Sequence, residues 1–145
     1  MESVLIVGMG RFGSTIATEL YQMNYDVLAI EKIEHVAASY TDKVTEIIIG
    51  NGQDERLLKT LGVQNFDCVI VAIAHTLEDS IVTTMMLKEM GAKFLVCKAD
   101  NEIHAKILAS IGVQRIIRPE YDMGRYVAKH LIKNNLQEFK VERHN

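Results

Sequence analysis

Residues 4–13, VLIVGMGRFG, decide the fold of this 145-residue chain. The first four residues form a short apolar run, which is typical of a buried parallel strand, and the run ends at the spacing Gly-x-Gly-x-x-Gly. Apolar side chains then recur at helical spacing, at Phe12, Ile16, Leu20 and Met23. Strand, glycine turn and helix follow one another in the order that a mononucleotide- or dinucleotide-binding unit requires.

Each glycine of this loop has a separate role in such a unit. Gly8 lets the chain turn tightly, Gly10 leaves room for a phosphate, and Gly13 lets the helix pack close to the strand. The unpaired amides and the dipole of the helix N-terminus then attract the phosphates. The candidate binding residues of the loop are Gly8, Met9, Gly10, Arg11, Phe12 and Gly13.

A second apolar run, residues 27–30, ends in Glu31, which lies 23 residues after Gly8. This spacing is close to the ~20 residues expected for the acid that binds the ribose hydroxyls. The alternative interpretation is a glycine-rich turn and an unrelated acid at a strand end. If Glu31 binds the ribose, NADP(H) should bind more weakly than NAD(H), because the carboxylate repels a 2′-phosphate unless Lys32 neutralises it.

The composition is that of one globular domain, with 48% hydrophobic and 24% charged residues. We assign residues 1–135 to this domain and 136–145 to a tail or linker. A net charge of −3 argues against a general nucleic-acid-binding protein, which needs a basic surplus. Cys68 and Cys97 fall in predicted strands without a Cys-x-x-Cys spacing, which favours buried, reduced thiols. We expect no signal peptide, and no apolar run reaches the ~18 residues of a membrane helix.

Six strand–helix units follow one another along the chain. Three helix-to-strand connections share an apolar residue followed by glycine, at Gly62, Gly91 and Gly112, which is typical of a helix end. Thr76 and Asn101 are predicted to cap helix starts. The predicted strands are residues 4–7, 27–30, 46–49, 68–72, 94–97 and 115–117. The prediction is an α/β, Rossmann-like, doubly wound parallel six-stranded sheet in the order 3-2-1-4-5-6, with helices of roughly ten residues or more between strands.

The remaining candidates follow the other strands. Asn51 and Gly52 lie in a turn after strand 3, where they either meet an adenine edge or only lead into a helix capped by Asp54. Ile73 and Ala74 follow strand 4, and their small or apolar side chains are suited to pack against a ring of the ligand.

Charged candidates are placed at the same predicted edge. Lys98, after strand 5, and Arg11 are in position to bind phosphates. Glu120 begins the last helix after Pro119, where compensation of the helix dipole already explains an acid.

Several enzyme classes lack their signatures. No Lys-Ser/Thr follows the glycines, so the loop is not a Walker A motif, and no Tyr-x-x-x-Lys pair is present. The five histidines show no spacing typical of a metal site. Little chain remains to hold a substrate against a nicotinamide, so binding without catalysis is favoured. The alternative is a fragment of an NAD-dependent oxidoreductase that lacks its substrate domain.

The chain from Val4 to about Leu136 resembles the KTN (RCK N-terminal) domain of the cytosolic regulatory subunits of bacterial potassium transporters of the Ktr and Trk type, and within that family the KtrA type most. An arginine inside the glycine loop and a Pro-Glu-x-Asp-Met-Gly run are more specific than the glycines alone. The matching segments are residues 8–13 (GMGRFG), Glu31, 50–52 (GNG), 69–73 (VIVAI), 97–99 (CKA) and 118–124 (RPEYDMG).

The resemblance implies a gating subunit that is not an enzyme. Such domains dimerise, assemble into a ring, usually an octamer, and bind the cytoplasmic face of a membrane-embedded potassium channel or transporter subunit of the KtrB or TrkH type. The implied location is cytoplasmic, at the inner face of the cell membrane. Exchange of ATP and ADP, or of NAD and NADH, changes the angle between paired domains.

Roles for individual residues follow from the same resemblance. Glu31 would bind the ribose and the loop glycines the phosphates, with Asn51 and Gly52 beside the adenine and Lys98 near the phosphates. If the ligand is ATP, Arg11 would reach a terminal phosphate across the dimer. Glu120 would then help to hold a divalent cation, Mg²⁺ or Ca²⁺.

One departure concerns length, because family members usually continue into a smaller C-terminal domain, before which this chain ends. A dimer is nevertheless expected from the residues themselves. The last helix has an apolar stripe through Met123, Val127 and Leu131, extended by Tyr126 and by Leu136 and Phe139 of the tail.

Overall fold

The structure, a computed structural model, describes residues 2–73 and 76–133. Its strands are β1 Ser3–Val7, β2 Asp26–Glu31, β3 Glu46–Ile49, β4 Cys68–Val71, β5 Leu95–Lys98 and β6 Arg115–Ile117. They form one sheet in the order β3-β2-β1-β4-β5-β6, and all neighbouring pairs are parallel. The predicted sheet is confirmed, with every strand end within one residue of its predicted position.

Within the described residues, six α-helices connect and follow the strands. They are α1 Arg11–Gln22, α2 Glu34–Ala38, α3 Glu55–Leu61, α4 Leu77–Glu89, α5 Glu102–Ile111 and α6 Pro119–Lys133. Gly62 and Gly112 take the left-handed conformation at the ends of α3 and α5, as their sequence context predicts. Asn101 caps α5 through its side chain, and Pro119 occupies the first position of α6.

The core lies on both faces of the central strand β1. Leu5 and Val7 belong to one buried cluster, whereas Val4 and Ile6 belong to another, as the alternation of side chains along a strand requires. The helices contribute Leu58 of α3, Leu87 of α4 and Leu108 of α5 to the first cluster, and Ala17 of α1 to the second. β1 is therefore buried on both sides, and its carboxyl end is held at a fixed place on the sheet edge.

Two connecting helices are shorter than predicted. α2 has 5 residues and α3 has 7, so the expectation of roughly ten residues or more is wrong for both. After α2 the chain turns back to the sheet with Val44 buried, and the hydroxyl of Thr45 accepts a hydrogen bond from the amide of Val27. This packed turn occupies the length that a longer helix would need.

Helix α1 faces the sheet with smaller residues than the sequence suggests. Its buried residues are Gly13, Ser14 and Ala17, whereas Ile16 and Leu20 pack at the margin of the core. Met23 is the C-cap and is exposed, so its predicted place on the buried face is wrong. Because Gly13 brings the helix close to the strand, only small side chains fit between them.

Helix α6 leaves much of its apolar surface exposed. Met123 is 58% exposed, and the side chains of Tyr121, Tyr126 and Leu131 are also exposed. Leu136 and Phe139, the tail residues predicted to extend this surface, lie outside the described residues. In the part of the chain that the structure describes, no helix is long and apolar enough to cross a membrane.

Both cysteines are free thiols. Cys97 of β5 is buried, and burial raises the pKa of its thiol to about 11. Cys68 is only half-buried, so the prediction of two buried thiols is correct for Cys97 alone.

Candidate functional site

The glycine loop connects β1 to α1 at the carboxyl edge of the sheet. Gly8 has a φ of +100°, and a Cβ at this position would lie 2.8 Å from the carbonyl oxygen of Ala72. A Cβ on Gly13 would overlap the carbonyl oxygen of Gly8, so the close packing of α1 requires glycine there. A Cβ on Gly10 would meet no atom within 4 Å. The loop thus has the tight turn, the close helix and the open approach that the sequence predicts.

The N-terminus of α1 opens onto this free space. Gly10 is the N-cap and supplies no side-chain acceptor, and the first turn of α1 contains no acidic residue. The amides of that turn therefore keep the partial positive charge that attracts anions at helix N-termini. Arg11 is exposed and Phe12 half-buried at the start of the same helix.

Glu31 ties the glycine loop to the end of β2. Its side chain is only 6% exposed; Oε1 accepts a hydrogen bond of 2.8 Å from the amide of Met9, and Oε2 one of 2.7 Å from the amide of Ile33. The side chain of Met9 is buried in the core. An ionised carboxylate has about four lone-pair sites, so two remain for a ligand hydroxyl. The carboxylate is thereby fixed in position beside the loop.

We call the cavity between the glycine loop and the ends of β2 and β3 the proximal cleft. Its polar wall includes Glu31, Lys32 and Asn51, and its apolar wall includes Val36 and Ile73. The volume of the cavity between the walls is about 160 Å³.

The turn after β3 is held by side-chain hydrogen bonds. Asn51 Oδ1 accepts from the amide of Gln53 at 2.9 Å, and Gln53 Nε2 donates to Asp79 Oδ1 of α4 at 2.7 Å. Asp54 caps α3 by accepting from two amides of its first turn. The turn that leads into a capped helix is therefore present, while the amide nitrogen of Asn51 is not used in it. Gly52 is buried, and a Cβ there would lie 2.5 Å from Cγ1 of Val7.

We call the second cavity, between the start of α1 and the ends of β5 and β6, the distal cleft. It shares Gly10 and Ala72 with the proximal cleft, so the two meet at the glycine loop. Its charged lining residues are Arg11, Lys98, Asp100, Arg118 and Glu120. Lys98 Nζ lies 3.8 Å from Asp100 Oδ1. The distal cleft thus carries three cationic side chains and two carboxylates.

The structure brings most of the predicted site residues to one edge of the sheet. Gly13 is buried behind the loop and lines neither cleft, and Ala74 lies outside the described residues. The predicted residues that line the proximal cleft are Gly8, Met9, Gly10, Glu31, Lys32, Asn51, Gly52 and Ile73. Those that line the distal cleft are Gly10, Arg11, Phe12, Lys98 and Glu120.

Several residues at these clefts were missed by the analysis of the sequence, among them Gln53, Asp79, Arg118 and Tyr121. Gln53 and Asp79 lie 26 positions apart, and no local spacing connects them. Arg118 and Tyr121 belong to the 118–124 segment that marks the family resemblance, which was the available signal. Within residues 2–73 and 76–133 no group of three or more His, Cys, Asp or Glu side chains is placed to hold a metal ion.

A buried histidine lies behind the distal cleft. His104 is 1% exposed; its Nδ1 accepts from the amide of Asp100 at 3.1 Å, and its Nε2 lies 2.9 Å from the hydroxyl oxygen of Ser80. Since Nδ1 accepts, the ring is neutral and Nε2 donates its proton to Ser80. Burial lowers the pKa of His104, which favours the same neutral form. Ser80 is equally buried, so this pair holds the loop after β5 and is closed to a substrate.

The chain is similar to known proteins over most of its length. A family model, the TrkA-N domain, matches residues 4–119. The Ktr system potassium uptake protein C of Bacillus subtilis is 38% identical over 134 residues, which cover 92% of this chain and 61% of that protein. The Ktr system potassium uptake protein A of the same organism is 40% identical over 131 residues, or 90% of this chain and 59% of that protein. The chain thus spans about three fifths of the length of these relatives.

Solved structures agree on the fold. The GsuK channel bound to NAD superposes with a TM-score of 0.76 at 16% identity, over 86% of this chain and 23% of that one. At this identity the likeness concerns the fold alone.

Proposed function

The chain belongs to the TrkA-N domain family, and on that premise we propose that it is a cytoplasmic, nucleotide-binding regulatory subunit of a bacterial potassium uptake system. Its relatives at 38% and 40% identity are Ktr system potassium uptake proteins, which supports the assignment to potassium transport. Binding of a nucleotide would change the conformation of the subunit and thereby gate a membrane-embedded partner of the KtrB or TrkH type.

One observation carries the proposal: the buried carboxylate of Glu31 is held by the amide of Met9, inside the glycine loop. Ribose recognition and phosphate recognition are thereby built into one rigid unit. A nucleotide would lie with its adenosine in the proximal cleft, its ribose hydroxyls at Glu31 and its phosphates at Gly10. Asn51, Gly52 and Ile73 would border the adenine, and Lys98 would lie nearer the phosphates.

Both ATP/ADP and NAD(H) suit this arrangement, since each contains an adenosine and a diphosphate. The GsuK channel, which has NAD bound, supports a nucleotide in this fold. If ATP is the ligand, Arg11, exposed at the distal cleft, would contact a terminal phosphate across a dimer. Glu120 lines the same cleft and would help to hold Mg²⁺ or Ca²⁺ together with the phosphate oxygens.

Self-association is part of the proposal. The exposed apolar side chains of α6, among them Met123 and Leu131, form a surface that a second subunit would cover. A dimer, and a ring of dimers such as an octamer, would transmit the nucleotide-dependent change to the membrane partner. The location would then be cytoplasmic, at the inner face of the membrane.

A regulatory role is favoured over an oxidoreductase fragment. The polar groups that resemble a catalytic pair, Ser80 and His104, are buried and point to a structural role. The groups that remain accessible, Arg11, Lys98 and Glu120, suit binding of charged groups.

Two measurements test this function. Mass spectrometry of the nucleotide that co-purifies with the chain should identify an adenine nucleotide. Potassium flux through vesicles that contain the membrane subunit should differ between ATP and ADP when the chain is added. A Gly10→Asp variant, which places a carboxylate where the phosphates approach, should abolish that difference. Potassium flux that is the same with ATP and with ADP, for both the wild-type chain and the Gly10→Asp variant, would refute gating.

A further inference from the structure

We infer that Arg118, held against the ring of Tyr121, is a binding residue for the anionic distal end of the nucleotide, beyond its first phosphate. This inference rests on the nucleotide-binding role proposed above. It adds a residue that lies at the far side of the distal cleft, opposite the glycine loop. Because Arg118 carries a guanidinium group, the ligand group that it would bind is a phosphate or a comparable anion.

Arg118 lies at the same edge of the sheet as the glycine loop. It follows β6 and precedes α6, so it lies at the carboxyl ends of the strands with the glycine loop. The sheet order puts β6 three strands from β1, or about 14 Å at a spacing of roughly 4.8 Å. The backbone of Arg118 therefore lies three strands away from the loop that would hold the first phosphate. Only a ligand that extends along the distal cleft from the loop comes within its reach.

The surroundings leave the guanidinium group available. Within the described residues, the buried Nε of Arg118 has no hydrogen-bond partner, and no carboxylate forms an ion pair with this side chain. Lys98, by contrast, already lies at ion-pair distance from Asp100. Because the Arg118 guanidinium gives up no ion pair when an anion arrives, it gains more from that anion than a cation that is already paired.

The aromatic ring fixes the direction of this cation. The guanidinium carbon of Arg118 lies 4.0 Å from the centre of the Tyr121 ring, and the amide of Arg118 donates to Asp122 Oδ2 at 2.9 Å. Stacking on an aromatic face limits the rotamers of the side chain before the ligand binds. Both ends of the residue are thus oriented, in contrast to Arg11, which is exposed.

Helix α6 also offers a matched control. Arg125 approaches the same Tyr121 ring, at 5.7 Å, but does not line the distal cleft. Arg118→Gln and Arg125→Gln remove the same charge and one contact with the same ring. They differ in whether the lost guanidinium faces the cleft.

The test is a calorimetric titration of the wild-type chain and both variants with AMP, ADP and ATP, in the presence of a chelator so that Glu120 and metal ions do not contribute. For Arg118→Gln we expect AMP affinity to change less than about twofold. ATP affinity should fall roughly ten- to a hundredfold, the effect of one charge-assisted contact, with ADP between the two. Arg125→Gln should bind all three nucleotides as the wild type does.

A third variant, Tyr121→Leu, examines the stacking itself. It keeps the charge of Arg118 but removes the ring, so it should lower ATP affinity by a smaller factor than Arg118→Gln does. If Arg118→Gln weakens AMP and ATP equally, or behaves as Arg125→Gln does, the inference is wrong although the chain still binds nucleotide. If the wild type binds none of the three, the proposed nucleotide-binding function itself fails.

Discussion

The proximal and distal clefts meet at Gly10, yet the protein builds them in different ways. In the proximal cleft two polar side chains are held by hydrogen bonds within the protein: Glu31 by two backbone amides, and Gln53 by Asp79. In the distal cleft Arg11 and Glu120 are exposed, and Nε of Arg118 is buried with no hydrogen-bond partner among the described residues. The proximal cleft is thus preorganised by hydrogen bonds, whereas the arginines of the distal cleft are exposed or are oriented by the ring of Tyr121.

This difference suggests that the two clefts bind different parts of the ligand. A site whose polar groups are already fixed binds the constant part of a ligand and loses folding stability when it is altered. A site of exposed charges responds to the part of the ligand that varies, which for nucleotides is the number of phosphates. Substitutions in the proximal cleft should therefore affect both folding and binding, and substitutions in the distal cleft should affect binding alone.

The largest effect is expected from Glu31→Gln. The amide side chain accepts from only one of the two backbone amides and places its own N–H₂ against the other, which leaves a buried donor unpaired. We expect nucleotide affinity to fall by about a hundredfold or more, and stability to fall by about 1–3 kcal/mol. Calorimetric titration and chemical denaturation measure the two effects. Glu34→Gln, an exposed position in α2, should change neither.

Arg11→Ala probes the distal cleft. Removing this exposed guanidinium should cost about 1.5–3 kcal/mol of ATP binding, or roughly ten- to a hundredfold in affinity, and much less for ADP. Thermal unfolding without nucleotide should be unchanged, because Arg11 is exposed. Titrations with ATP and ADP decide the question, and equal losses for both would exclude a contact with the third phosphate.

Gly52→Ala tests how closely the wall of the proximal cleft is packed against the core. The new Cβ would lie 2.5 Å from Cγ1 of Val7 in the core strand, so we expect a loss of about 1–3 kcal/mol in stability. Gly124→Ala is the control, because a Cβ at this exposed position of α6 meets no atom within 4 Å and should stabilise the helix by up to about 1 kcal/mol. Denaturation of both variants gives the comparison, which fails if Gly52→Ala is as stable as wild type.

The smallest effect concerns pH. Burial lowers the pKa of His104 below the usual 6.5, so the unfolded chain binds this proton more readily than the folded one. Stability from this group is therefore full above pH 6.5 and is lost as the pH falls from 6.5 towards the folded pKa, by at most about 1.4 kcal/mol per pH unit. Denaturation from pH 7.5 to 5 should show a flatter profile for His104→Asn. His35→Asn, at an exposed position, should keep the wild-type slope.

The sequence predicted the sheet well because each strand is a local signal. An apolar run bounded by a glycine or a helix cap locates β1 or β5 without knowledge of its neighbours. Helix α4 shows where this fails, since three of the residues that it buries are the polar Ser80, Thr83 and Thr84. A hydrophobic period cannot identify such a face.

The candidate site was predictable to the level of residue positions but not of contacts. Spacing located Glu31, because the distance from the glycine loop is a property of the strand–helix–strand unit. That its carboxylate accepts from the amide of Met9, or that Gln53 donates to Asp79, depends on how separate elements pack. Contacts of this kind leave no periodic trace in the sequence.

Hydrogen–deuterium exchange with and without ADP tests the central claim, that one nucleotide lies across the glycine loop with its ribose at Glu31, most directly. The account predicts slower exchange of backbone amides in residues 8–14 and 31–33 when ADP is bound, with Arg115–Ile117 of β6 little changed. Protection confined to other parts of the chain, or no change in residues 8–14 at saturating ADP, would contradict it.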